Sequence, residues 1–136
     1  MSTFAWFSDA GLTAPLTRAD FTRGSTAAPV DKVVYFGSPA TGKKLQSSVT
    51  PGTTALQVAV SDAAGGGVAV GDVKLALSSV GLGSATGGAA LNIGTTILSG
   101  AVNAVPVFAR LTSSLTTIGN YDDVSLSVSS WVESNV

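Results

Sequence analysis

With 136 residues the chain fits one domain that buries roughly two-thirds of its unfolded surface, and a second folded domain has no room. A net charge of -1, with only 11% of residues charged, excludes a phosphate-neutralising face, so nucleic acid is not an expected partner. The absence of cysteine and histidine excludes disulfides and thiolate chemistry and removes the commonest general base and zinc ligand.

Taken in order, Thr3 to Ser8 (TFAWFS) has strand content, with Phe4 and Trp6 on one face and Ala5 and Phe7 on the other, as period-two alternation requires. A short edge strand is expected there. From Asp9 to Asp31 the pattern breaks among Gly11, Pro15, Gly24 and Pro29, which predicts an extended arm draped over the sheet or ordered by a neighbouring subunit. The expected division is therefore an N-terminal strand and arm over 1–31 and a β domain over 32–136. Lys32 to Phe36 (KVVYF) is the best central strand, being dense in β-branched and aromatic residues. Gly37 to Gly52 reads as a polar connection with a turn at Pro51-Gly52.

Leu56, Val58 and Val60 alternate with Gln57, Ala59 and Ser61, and Val73, Leu75 and Leu77 alternate with Lys74, Ala76 and Ser78; each run predicts a half-buried strand. Between them, 62–67 (DAAGGG) predicts an exposed loop tip. Gly81 to Gly88 is a second glycine-rich connection, and Ala89 to Ile97 a weaker strand bent or bulged at Gly94. The cleanest alternation is Ala104 to Leu111, followed across a Ser-Thr-Gly-Asn-Asp segment by Val124 to Val128. These two arms are expected to pair as an antiparallel hairpin. No segment keeps a helical period, because glycine, proline or β-branched residues interrupt each one. Short strands with turn signals between them indicate an all-β, antiparallel two-sheet sandwich.

Chemistry-bearing patterns are sparse. Gly37-Ser38-Pro39-Ala40-Thr41-Gly42-Lys43-Lys44 has the glycines and lysine of a phosphate-binding loop, but Lys44 stands where a hydroxyl should hold magnesium, and no helix can form before Pro51. It reads as a solvent-facing loop. Asp122-Asp123 reads as a solvated strand end, with calcium binding as the secondary reading. The many serines have no histidine to activate them, so catalysis is not expected and no cofactor is implied. No apolar run reaches the roughly 18 residues of a membrane span and no basic-then-apolar leader opens the chain, so a soluble chain starting near Met1 is expected.

Tyr35, Phe36 and Phe108 fall within strand patterns and read as packing residues. Trp6, Phe7 and Trp131, near the chain ends, divide evenly between intramolecular packing and anchoring an interface, where tryptophan is enriched. With Leu12, Leu16 and Phe21 of the arm, they form the expected contact set between subunits.

Four stretches, WFSDAGLTAPL (6–16), VVYFGSPATGKKLQ (33–46), LNIGTTILSGAVNAVPVFARL (91–111) and IGNYDDVSLSV (118–128), together resemble small virion structural proteins of tailed bacteriophages. The resemblance implies an immunoglobulin-like β-sandwich and a non-enzymatic role in the particle, assembled in the host cytoplasm. Its first form is a capsid decoration protein that binds the major capsid protein lattice as a homo-oligomer. Its second is a tail or fibre module that binds a host surface glycan. Exposed aromatics grouped on loop tips would favour the glycan, and a flat apolar patch beside an ordered arm would favour the capsid.

Overall fold

The computed structural model describes residues 3–16, 21–23, 30–62, 73–111, 119–121 and 124–136. Among them the chain is all-β and antiparallel, and its only helical pieces are 3-10 turns at Val80–Gly83 and Ala101–Asn103. The strands are β1 (Ala5–Phe7), β2 (Phe21–Arg23), β3 (Val30–Gly37), β4 (Lys43–Ser47), β5 (Leu56–Asp62), β6 (Val73–Ala76), β7 (Leu91–Gly94), β8 (Thr96–Leu98), β9 (Val105–Leu111), β10 (Gly119–Tyr121), β11 (Val124–Val128) and β12 (Trp131–Asn135). One sheet has the order β1-β3-β9-β6; two three-stranded sheets run β11-β5-β7 and β12-β4-β8; β10 and β2 form a separate ribbon.

The two three-stranded sheets share their outer chains. Thr95 alone joins β7 to β8, and Ser129 and Ser130 alone join β11 to β12, whereas residues 48–55 intervene between β4 and β5. Because β4 pairs antiparallel with β8 and β12, and β5 with β7 and β11, β4 and β5 lie end to end between two continuous neighbours. The loop 48–55 therefore leaves the middle of a strand rather than its end.

Alternation places most apolar side chains as the sequence predicts; Leu77, expected on the inward set with Val73 and Leu75, lies past the end of β6 and is exposed. Val34 and Phe36 of β3, Leu56, Val58 and Val60 of β5, Val73 and Leu75 of β6, and Val107 and Ala109 of β9 are all buried in one cluster with Leu45, Ile93 and Ile97. Each side chain buried this way contributes about 1.5–3 kcal/mol relative to exposure. At one side of the cluster the aromatics meet. The Phe36 ring lies 5.1 Å from Trp6, 5.9 Å from Trp131 and 6.3 Å from Phe4, in tilted or edge-on arrangements that aromatic quadrupoles favour.

Both edges of the four-stranded sheet are covered by the chain's own loops. Pro15 bridges to Phe7, and Leu16 donates its N–H to the Trp6 carbonyl at 2.9 Å, so the outer side of β1 is closed. Gly88 donates to the Val73 carbonyl on the outer side of β6. Leu82, in the 3-10 turn beside β6, is fully buried, while Val80 at the start of that turn is exposed.

Several expectations change. The segment 104–128 is not a hairpin: β9 lies between β3 and β6, and β11 pairs with β5. β3 offers β9 seven in-register pairs from Val30–Leu111 to Phe36–Val105, more than the five residues of β11 could supply, and placing the arms apart buries both apolar faces in one core. The arm expected as extended from Asp9 instead begins as a tight loop: Ser8 donates to the Ala14 carbonyl, and the chain returns along β1. The boundary expected after Asp31 falls inside β3, and β1 pairs with β3. β4 lies where a polar connection was expected, β12 follows the last expected strand, and β2 and β10 lie within the arm and the connection before β11. Gly94, at φ 118°, sits beside the register shift between Leu56 and Gln57, as its expected bulge requires. The glycine-rich tip at 63–67 and the adjacent Asp122-Asp123 lie outside the described residues.

Replacing Phe36 by alanine should lower unfolding stability by about 3–5 kcal/mol in urea titrations, because the ring is buried at the junction of both chain ends. Phe36→Leu, which keeps most of the volume, should cost less than half of that.

Candidate functional site

The residues expected to make contacts between subunits divide by location. Phe7 and Leu12 are buried within the chain, at 4% and 3% exposure. Trp6, Leu16 and Trp131 are half-buried and packed against the core. Phe21 belongs to β2, with its side chain outside the described residues. Trp6 and Trp131 are brought together around Phe36, and Phe7 and Leu12 lie on the opposite face of the four-stranded sheet.

The Ser8 to Leu16 loop is built around Asp9. Its carboxylate accepts from the Thr13 N–H at 3.0 Å, the Thr13 hydroxyl at 2.7 Å and the Ala14 N–H at 2.8 Å. These bonds, the Thr13 hydroxyl foremost, hold the Asp9 carboxyl below its ordinary range. They also fix Leu12 at φ 56°, a left-handed conformation costing a β-carbon about 1–2 kcal/mol. The burial of Leu12 against Gly37 offsets that strain, and a β-carbon on Gly37 would stand 3.0 Å from Leu12 Cδ1. The loop is a structural clasp.

The glycine and lysine segment 37–44 passes from β3 to β4 and is followed by a strand, which removes the helix that a phosphate-binding loop needs. Its lysine is engaged: Lys43 Nζ donates to Asn135 Oδ1 at 2.7 Å. Ser38, fully buried, donates to Thr3 Oγ1 at 2.6 Å, and Thr3 donates from both its N–H (2.9 Å) and its hydroxyl (2.5 Å) to Glu133 Oε1. This chain of bonds links the segment before β1 to β12. The Thr3 hydroxyl, helped by its N–H, holds the Glu133 carboxyl below the ordinary range.

Two outer faces remain. On the four-stranded sheet, registered rows run Phe7–Tyr35–Pro106, Val33–Phe108–Ala76 and Asp31–Arg110–Lys74. The last row holds a forked ion pair, Arg110 Nε to Asp31 Oδ1 at 2.7 Å and Nη2 to Oδ2 at 3.0 Å, which lowers the Asp31 pKa. The outer face of the two three-stranded sheets is different. It carries Gln57, Ser127, Ser129, Asn92, Gln46, Thr96 and Ser134, with amide and hydroxyl pairs from Gln57 to Asn92 at 2.7 Å and from Gln46 to Thr96 at 3.0 Å. Lys44 is the one charge in the rows formed by β12, β4 and β8 on that face.

Exposed aliphatic side chains collect at one end of this neutral face. Leu98 (44%), Val132 (43%) and Val136 (75%) surround Lys44, and Val102 follows just past β8. Sequence reading missed this cluster because β4 and β12 each carry a single inward apolar residue, Leu45 and Trp131, and show no alternation of hydropathy. Among the described residues no group of three acidic side chains gathers to hold a metal ion. No helix among them is long and apolar enough to cross a membrane. No protein family, curated protein or solved structure matches the chain.

The Glu133 bonds set a pH dependence. A carboxyl whose folded pKa lies below its unfolded value adds stability that is complete above the unfolded pKa of about 4 and is lost as pH falls through the folded pKa. Glu133→Gln should therefore flatten the fall in melting temperature below pH 4 relative to the parent chain, measured by circular dichroism.

Proposed function

We propose that the chain is a non-enzymatic structural protein of a tailed bacteriophage particle, a capsid decoration protein folded as an immunoglobulin-like two-sheet sandwich. In this reading the four-stranded sheet is one layer, and the end-to-end pair of three-stranded sheets is the other. The single core shared by β3, β4, β5, β6, β7, β8 and β9 supports the two-layer arrangement. The family resemblance of the sequence supplies the virion role.

The observation that carries the choice of capsid over glycan is where the large apolar groups lie. Phe4, Phe7 and Phe36 are buried, Trp6 and Trp131 pack against the core, and Tyr35 and Phe108 are half-buried within strands. Among the described residues, no aromatic stands on an exposed loop tip to stack against a sugar ring. The exposed large apolar groups are aliphatic; Leu98, Val132 and Val136 gather around Lys44, on a face otherwise made of serine, threonine and amide side chains, while Val49, Leu77 and Val80 stand elsewhere. Short, neutral side chains lose little conformational entropy when covered, which suits a face that binds a repeated lattice.

Particles from a host expressing the protein with a small electron-dense label should carry that label over the head. Label confined to the tail would overturn the decoration reading, and unlabelled particles would overturn the virion reading altogether. Thr96→Arg, which puts a long charge on the β8 side of the neutral face at an exposed position, should reduce head occupancy about tenfold, equivalent to ~1.4 kcal/mol.

A further inference from the structure

The edges of the two layers are treated differently. β1 and β6 are closed by Pro15, Leu16 and Gly88, but among the described residues β12 pairs on one side only, with β4. Exposed strand edges are normally blunted by lysine, proline or a bulge, because their unpaired N–H and C=O groups recruit other strands. β12, Trp131–Asn135, has no lysine, no proline and no register irregularity against β4.

The ladder fixes which groups face outward. Val136 donates its N–H to the Gly42 carbonyl at 2.9 Å, and the Ser130 carbonyl accepts from Ser48 at 3.1 Å, so even-numbered residues bond toward β4. Antiparallel bonding alternates along a strand, which directs the backbone N–H and C=O of Glu133 and Asn135 to the open edge.

We propose that two copies of the chain join through this edge, β12 to β12, antiparallel about a two-fold axis at Ser134. That register makes Glu133 and Asn135 of opposite copies hydrogen-bonded pairs and leaves Ser134 facing Ser134 in the non-bonded position on the axis. On the outer face Val132 of one copy then lies opposite Val136 of the other, so two of the exposed aliphatic groups cover each other. On the core side the Glu133 carboxylate faces the Asn135 amide. Asn135 Oδ1 already accepts from Lys43, which turns its NH2 to donate across the seam and sets a lysine behind it. Glu133 Oε1 is held by Thr3, leaving Oε2 for that amide. Charge, hydrogen bonding and apolar cover therefore agree at one register. A register shifted by one residue puts Glu133 against Glu133.

The joined sheets make one six-stranded surface, β8-β4-β12 continued by β12-β4-β8. This inference rests on the β12 edge alone and does not require the virion reading, because self-association is measured on the isolated protein.

Sedimentation of the purified chain should show a monomer to dimer equilibrium. S134K, at an exposed position, should melt at the parent temperature yet sediment as a monomer where the parent is dimeric. S134C offers a second readout, since directly opposed residues in a non-bonded antiparallel pair stand about 4.5 Å apart at Cα, within disulfide range. On mild oxidation it should form a covalent dimer much faster than S127C, on the outer face of β11. A parent chain monomeric at every concentration, a dimer that survives S134K, or S134C cross-linking no faster than S127C would each overturn the proposal.

Discussion

The Phe36 side chain is the contact on which the fold turns. It sits on the central strand β3, yet its ring meets Trp6 of the first strand, Phe4 just before that strand and Trp131 of the last. A chain with no cysteine has no disulfides to hold its ends, and only 11% of its residues are charged. Packing must do that work, and aromatic groups supply the largest buried area per residue. The neighbouring hydrogen bonds from Ser38 through Thr3 to Glu133 run along the same line, so the first and last strands are tied to the centre twice. Trp6 and Trp131, which the sequence presents as equally suited to an interface or a core, are used for this closure.

What the sequence made legible follows from how each strand is buried. β5, β6, β9 and β11 carry apolar residues at alternate positions, and Val58, Leu75, Val107 and Leu126 pack inward as alternation assigns, while β3 was legible from its density of β-branched and aromatic residues. β4 and β12 were illegible for the opposite reason. Their inward faces hold Lys43, Leu45 and Ser47, and Trp131, Glu133 and Asn135; Lys43 is satisfied by Asn135 and Glu133 by Thr3 rather than by apolar neighbours. Those partners lie far away in the chain, and no local pattern announces them. The pairing of β9 was also hidden, because alternation assigns faces and leaves partners undetermined. The surface features that matter most, the aliphatic cluster around Lys44 and the open edge of β12, depend on the two strands that were hardest to read.

The two outer faces express one economy of surface in opposite ways. The four-stranded sheet has half-buried aromatic rows, and the chain folds its own loops over both ends, with Leu12 strained into place on one side and Leu82 fully buried on the other. The three-stranded sheets carry no such cover: apart from Lys44 and the aliphatic group around it, their outward side chains are hydroxyls and amides, two pairs of them bonded to each other. The large aromatic surface is closed internally, and the surface left open, hydroxyls and amides with a few aliphatic groups, is one that another protein can cover at little cost in desolvation.

The interruption between β4 and β5 gives the architecture a capacity for growth. Both halves of that strand are held by continuous neighbours, so residues 48–55 can lengthen without altering any register on either side. The loop folds against the outward face, where a β-carbon on Gly52 would stand 3.1 Å from Gln46 Nε2, and carries the exposed Val49. Loop closure entropy rises only slowly with length. A peptide or a small domain grafted here would rise from the centre of the neutral sheet, which makes the break in the strand a natural port for display.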